Sequence, residues 1–126
     1  MKKEGIKDAI QKYYDSIGID SEDTSRVNNV AQARAALINV LHGNGLHKVQ
    51  IASLVKRDRT TVHFHIAAHD NNMKFWEGYE DFYDRCSITA GVTLKNELIK
   101  KKLNSLKEKK QLIESEIEQL NSLINE

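Results

Sequence analysis

A short polar stretch brings together side chains that can hydrogen-bond to the edges of DNA bases. Arg59 can give two parallel hydrogen bonds to guanine, and Thr60 and Thr61 offer hydroxyl groups to bases or phosphates. His63 follows two residues later and adds its ring nitrogens. Asp58, directly before them, can cap a helix through its carboxylate. The stretch therefore predicts a capped helix whose first turns present these four side chains to a groove of DNA.

The residues around this stretch predict the element that positions it. Apolar residues recur at helical spacing on both sides of a charged break, namely Ile51, Leu54 and Val55 before it and Val62 and Ile66 after it. Two short helices about a tight polar turn are typical of a helix-turn-helix, whose second helix places its N-terminal residues at base edges in the major groove. We expect a supporting helix from about His47 to Lys56 and a recognition helix from about Thr60 to Asn71.

The same stretch resembles the C-terminal DNA-binding domain of the bacterial replication initiator DnaA, which has a Trp-repressor-like helix-turn-helix. RDRTTVHFH resembles the RDHTTVLH signature of that family. VAQARAALINVL resembles its VARPRQMAMAL segment, and YYDSIGID resembles its YFNIKVEDL segment. The resemblance covers about Ile6 to Asp84. It implies an all-helical head with double-stranded DNA as its partner.

The resemblance also implies roles for single residues. Asp58 would accept a hydrogen bond from a cytosine amino group in addition to capping its helix. Arg34 would contact a phosphate. Arg26 would reach into a minor groove, where the negative potential favours arginine. The alternative for Arg26 is an exposed arginine beside Asp23.

Three departures from the family pattern change what we expect. Arg59 stands where the family has histidine, which predicts a DNA site different from that of the initiator. Gln32 and Ala33 stand where the family has Arg-Pro, so one basic group is missing from the expected backbone contacts. His63 and Phe64 replace Leu-His, and we expect Phe64 to be a packing residue, with a wedge between bases as the alternative.

Charge is distributed unevenly along the chain, although the net charge is only +1. The acids cluster at positions 20–23 and 77–84, whereas Asp58 is the one acid between Arg26 and Arg59. A domain polarised in this way can turn one face to phosphates, although ordinary solvated surface is the alternative. The basic residues that we expect at the DNA backbone or minor groove are Arg26, Arg34, Lys48, Lys56 and Arg57.

The remaining pattern predicts an all-α chain. Helices are expected over Lys2–Ile17 and Val30–His42. The aromatic residues from Met73 to Tyr83 should close the core, because surrounding acids disfavour the alternative of a stacking platform for single strands. The chain divides into a helix-turn-helix domain, a hinge and a long coiled-coil helix, at residues 1–86, 87–92 and 93–126.

The C-terminal helix carries an apolar seam at alternating four- and three-residue steps, which predicts pairing with a second copy. Lysines dominate its first half and glutamates its second, which favours an antiparallel pair. A parallel pair with the lysines against DNA and a helix folded back on its own head are the alternatives. The seam consists of Val92, Ile99, Leu103, Leu106, Ile113, Ile117, Leu120 and Ile124.

Several classes of function find no support in the sequence. No phosphate-binding loop and no catalytic constellation is recognisable, so we expect neither an enzyme nor a nucleotide partner. His65 and His69 could share a helix face, but two ligands do not make a metal site, and no cofactor is expected. The single cysteine, Cys86, and the lack of any long apolar stretch predict a reduced, cytoplasmic, nucleoid-associated protein rather than a membrane protein.

These patterns predict a dimeric, sequence-specific binder of double-stranded DNA in transcription regulation or at a replication origin. A phage or mobile-element protein would also fit this description. An oligomeric scaffold or adaptor whose head binds protein is the second hypothesis, because fold does not fix function. A nonspecific architectural DNA binder is the third.

Overall fold

The structure is a computed structural model that describes residues 2–23 and 27–125, leaving aside the side chains of residues 2–4 and 92. These residues form an all-α fold without strands, and a long helix ends the chain, which confirms the predicted fold class. A π-helical turn at Ser87–Gly91 joins the last two helices. The helices are α1 (Lys2–Ile17), α2 (Asn28–Gly43), α3 (Lys48–Val55), α4 (Arg59–Ala67), α5 (His69–Phe75), α6 (Tyr79–Cys86) and α7 (Val92–Ile124).

Helix α2 forms the centre of the head. It is buried along almost its whole length, from Val30 to Leu41, as expected for a helix that is apolar on most sides. Small residues such as Ala33 and Ala36 let neighbouring helices approach closely. Helices α3, α4 and α6 and the π-helical turn all pack against it. Helix α2 is therefore the support on which the helix-turn-helix is built.

Helix α1 closes the other side of the core. Tyr13 is fully buried, and its hydroxyl group donates a hydrogen bond to the carbonyl oxygen of Ala33 over 2.9 Å. Helix α1 also packs against the π-helical turn and the start of α7, where Ala90 and Leu94 are fully buried. The core of the head thus extends beyond Cys86 into the first turns of α7.

The segment predicted to be a hinge is helical in the structure. Residues 87–91 continue the helix, and the side chains of Ser87 and Thr89 bond back to the carbonyl oxygens of Tyr83 and Arg85. The small side chain of Ala90 lets this turn lie against α1. Burial in the core, which local sequence does not reveal, holds the segment in place.

Two other elements depart from expectation. The predicted recognition helix ends at Ala67, four residues earlier than expected, and a separate short helix begins at His69. Phe75 belongs to the aromatic segment expected in the core, yet it is 79% exposed, whereas Tyr79 is fully buried. Only part of the aromatic segment therefore closes the core as expected.

Candidate nucleic-acid interface

The turn between α3 and α4 sets where α4, the predicted recognition helix, begins. Lys56 ends α3 in a left-handed conformation, with φ at 56°. Asp58 then caps α4, and its carboxylate accepts a hydrogen bond from the backbone N–H of Thr61 over 2.7 Å. This bond holds the pKa of Asp58 below its usual value, because it stabilises the ionised form. The predicted capping role of Asp58 is confirmed.

The core fixes the orientation of α4. Val62 is fully buried, and Ile66 packs partly buried against the same core. The side-chain amide of Asn39, on α2, donates to the carbonyl oxygen of His65 over 3.1 Å and contacts the hydroxyl group of Tyr79 at 3.0 Å. Because these contacts hold one side of α4, its opposite side is turned to solvent.

The predicted base-reading side chains lie on that solvent side. Arg59, Thr60 and His63 are exposed, and Thr61 is half-buried beside the cap. The carboxylate of Asp58 is engaged with the start of its own helix. The structure thus brings all five predicted base-contacting residues together at the start of α4.

A second contact ties this surface to the start of α3. The ammonium group of Lys48 lies 2.7 Å from Nδ1 of His63. An ammonium group can only donate, so this contact is a hydrogen bond in the tautomer whose Nδ1 carries no proton. Lys48 therefore lies beside the predicted base-reading residues at the start of α4.

Two of the predicted backbone-contacting arginines meet at one cavity. Arg34 and Arg57 line a cavity of about 280 Å³ between α1, α2 and α3, together with Lys7 and Tyr14. Partial burial lowers the pKa of Arg34, and the positive charge of Arg57 lowers it further. The carboxylates of Glu22 and Asp23 line the same cavity, so acids partly balance the positive charge of the two guanidinium groups there.

Glu22 is a residue that the sequence reading missed. Its carboxylate oxygens each lie 3.0 Å from the ammonium group of Lys56, which was predicted to bind the DNA backbone. Positions 22 and 56 are far apart in the chain, so no local pattern could have paired them. The only available signal was the acidic cluster at residues 20–23.

The structure also explains one departure from the family pattern. Gln32, where the resembled family has arginine, is 1% exposed and donates a hydrogen bond to the carbonyl oxygen of Glu77 over 2.6 Å. A β-carbon on Gly78, which has φ at 96°, would lie 3.0 Å from the same amide group. Position 32 therefore joins α2 to the loop before α6 and contributes nothing to a basic surface.

The remaining predictions from the sequence concern Phe64, Arg26, a metal site and a membrane span. Phe64 was expected to pack, but it is 64% exposed beside the predicted base-reading residues. Arg26 lies outside the described residues, so its predicted place in a minor groove stays a prediction. Within the described part of the chain, no cluster of three or more potential ligands is placed to hold a metal ion. Nor does any helix there have the length and apolar character needed to cross a bilayer.

Comparison of the chain with protein-family models, with curated proteins and with solved structures found no match. The resemblance to the initiator domain therefore rests on the residues of the chain itself. What the geometry defines is an all-helical head with a capped, solvent-facing helix start between basic side chains.

Proposed function

We propose that this chain is a sequence-specific binder of double-stranded DNA that inserts α4 into the major groove. The observation that carries the proposal is the start of α4, where Arg59, Thr60 and His63 face solvent. The Asp58 cap and the buried Val62 hold that helix start in one orientation. A rigid helix whose N-terminal side chains protrude is the arrangement with which a helix-turn-helix reads base edges.

Basic side chains on both sides of this helix start support the proposal. Lys48 adjoins His63, and Arg34 and Arg57 line a shared cavity behind the turn. They would bind phosphates and so fix the position of α4 on the duplex, while Arg59 would choose the base. Control of transcription and recognition of a replication origin are both processes that such a protein serves.

Selection of bound duplexes from a random library tests the proposal. We expect an enriched sequence that contains guanine opposite Arg59 and an affinity that falls steeply with salt. Arg59→Ala should lose about 1–3 kcal/mol on the selected site and relax the choice of base at one position. Lys48→Ala should weaken all duplexes alike, and Arg85→Ala on α6 is the control, because it removes an exposed arginine from another helix. Equal losses on all sequences for Arg59→Ala would overturn the base-reading role.

A second candidate function is an adaptor whose head binds protein. Two exposed apolar side chains favour it, since Val49 and Phe64 are 60% and 64% exposed. Val49 follows Lys48 in the sequence and Phe64 follows His63, and Lys48 and His63 are in contact. Both apolar side chains therefore lie close to the proposed DNA surface. A folded chain that binds no duplex in low salt would favour this candidate over DNA binding. If Arg59→Ala lowers the affinity for DNA and Phe64→Ser does not, the result favours DNA binding.

A further inference from the structure

Helix α7 leaves the head and then exposes a continuous apolar stripe. The stripe residues are each between 49% and 80% exposed, and every described residue after Leu98 is exposed. A single helix that carries such a stripe would leave a large apolar surface in water, which marks an interaction surface. The stripe consists of Ile99, Leu103, Leu106, Ile113, Ile117, Leu120 and Ile124.

We propose that this stripe pairs with the same stripe of a second copy, as an antiparallel coiled coil in which Ile99 faces the partner's Ile124. The alternating four- and three-residue spacing is that of a left-handed coiled coil. The pairing goes beyond DNA binding and does not depend on it.

The position of the head leaves the stripe open to a partner. Leu94 and Leu98 lie four residues apart, so they share the helix face that packs against the head. Ile99 lies one residue further on, about 100° around the helix, and it is 55% exposed. The face that binds the head and the apolar stripe are therefore different faces of α7, which argues against a helix folded back on its own domain.

Charges beside the stripe select the antiparallel orientation. In the proposed register, Lys107 lies near the partner's Glu114 and Lys109 lies near the partner's Glu116. The two-fold axis repeats both contacts, so all four are attractive. A parallel pair would have one attractive contact, between Lys109 and the partner's Glu114. It would also set Lys102 beside the partner's Lys107 and Lys110 against its own counterpart across the apolar seam, so repulsion outweighs that attraction.

Lys110, the polar interruption of the seam, fits the same arrangement. In the antiparallel pair it faces the partner's Ile113 rather than another lysine. Its ammonium group lies 3.8 Å from the carboxylate of Glu114 on its own helix. The aliphatic part of the side chain can therefore cover apolar surface while the charge stays at the edge of the coil.

The charges also select one register. A shift of one heptad toward the head would set Lys107 beside the partner's Lys107, and the opposite shift would set Glu114 beside the partner's Glu114. The proposed register avoids both like-charge contacts and pairs the stripe over its full length. At ~1.5 Å per residue, it separates Leu98 from the partner's Leu98 by about 40 Å along the coil. The two heads then lie at opposite ends of the dimer.

Sedimentation equilibrium of the full chain tests both the dimer and its orientation. Ile113→Glu should convert the dimer to a monomer, whereas Leu112→Glu, on the neighbouring position outside the stripe, should leave it intact. Lys107→Glu should raise the dimer dissociation constant roughly tenfold, because two attractive contacts become repulsive. Adding Glu114→Lys to that variant should restore pairing, and Lys101→Glu on the outer face is the matched control.

Each alternative result would overturn the proposal. A monomeric wild-type chain at micromolar concentration would show that the stripe does not pair with itself. Tighter association of Lys107→Glu would show a parallel dimer, because that change makes the contact with the partner's Lys102 attractive. An unchanged dissociation constant in both Lys107→Glu and Ile113→Glu would show that pairing uses another surface. Circular dichroism of each variant checks that the head is folded.

Discussion

Glu22 and Lys56 form an ion pair in which both carboxylate oxygens lie 3.0 Å from the ammonium group. The pair joins the segment after α1 to the turn between α3 and α4. Both side chains are largely exposed, so their attraction adds little to the stability of the fold. Its consequence for the proposed function is electrostatic, because the carboxylate would compete with DNA phosphates for Lys56.

Removing the charge of Glu22 should therefore strengthen DNA binding. For Glu22→Gln we expect about two- to fivefold higher affinity for every duplex tested, since exposed pairs contribute about 0.2–1 kcal/mol. The salt dependence should steepen by about one phosphate contact. Fluorescence anisotropy over a range of salt concentrations measures both quantities. Glu80→Gln removes the same charge on α6 as a control, and an equal gain from that variant would mean that net charge alone explains the effect.

The Asp58 cap should make the helix-turn-helix sensitive to acid. Because the folded-state pKa of Asp58 is depressed, its stabilising contribution is present above the ordinary aspartate pKa and is lost as pH falls through the folded value. Asp58→Ala should lower the melting temperature at neutral pH and reduce the loss of stability on acidification. Asp58→Asn, which keeps an acceptor for the Thr61 amide, should retain most of the stability at neutral pH. Equal melting temperatures for the alanine variant and the wild type at neutral pH would contradict this role.

Much of the fold could be predicted because it is encoded locally. Helix α1 has the predicted bounds, Lys2–Ile17, and α2 begins and ends within two residues of its predicted bounds. Apolar periodicity is sufficient for both helices, and Asp58 marks the start of α4 in the same local way. The all-helical class and the long C-terminal helix follow from the same signals.

What could not be predicted depends on contacts between distant parts of the chain. The π-helical turn at Ser87–Gly91 has the composition of a hinge, and only the packing of Ala90 against α1 shows that it is part of the core. The Lys48–His63 contact and the partner of Lys56 likewise join separate segments. The residue types of the candidate site were thus readable from the sequence, whereas the groups that modulate them were not.

Asn39 is expected to be the polar residue on which the position of α4 depends most. It is 7% exposed, and its amide bonds to the carbonyl oxygens of Ala35 and His65 and contacts the hydroxyl group of Tyr79. Asn39→Ala should lower the free energy of unfolding by about 2–3 kcal/mol, because buried polar partners lose their bond and a cavity forms. Urea denaturation measures this loss. Asn29→Ala, an exposed change on the same helix, should stay within about 0.5 kcal/mol of wild type, and a comparable loss there would contradict the role of Asn39.

His65 should couple the stability of the head to mildly acidic pH. Burial lowers the pKa of His65, and the positive charge of Arg34 lowers it further. The Nδ1 atom of its ring is buried and accepts no hydrogen bond from the described residues. As pH falls below the ordinary histidine value, the unfolded chain takes up a proton that the folded chain excludes, so stability falls until the depressed folded-state pKa is reached.

His65→Gln should therefore flatten this part of the stability profile, because it removes the titrating ring. Urea denaturation of wild type and variant at about pH 7 and about pH 5, on either side of the ordinary histidine pKa, measures the difference. His42→Gln is the matched control, since His42 is exposed on α2 and should leave the pH dependence unchanged. If His65→Gln and His42→Gln both lose stability on acidification as steeply as the wild type, the pH dependence arises from groups other than the His65 ring.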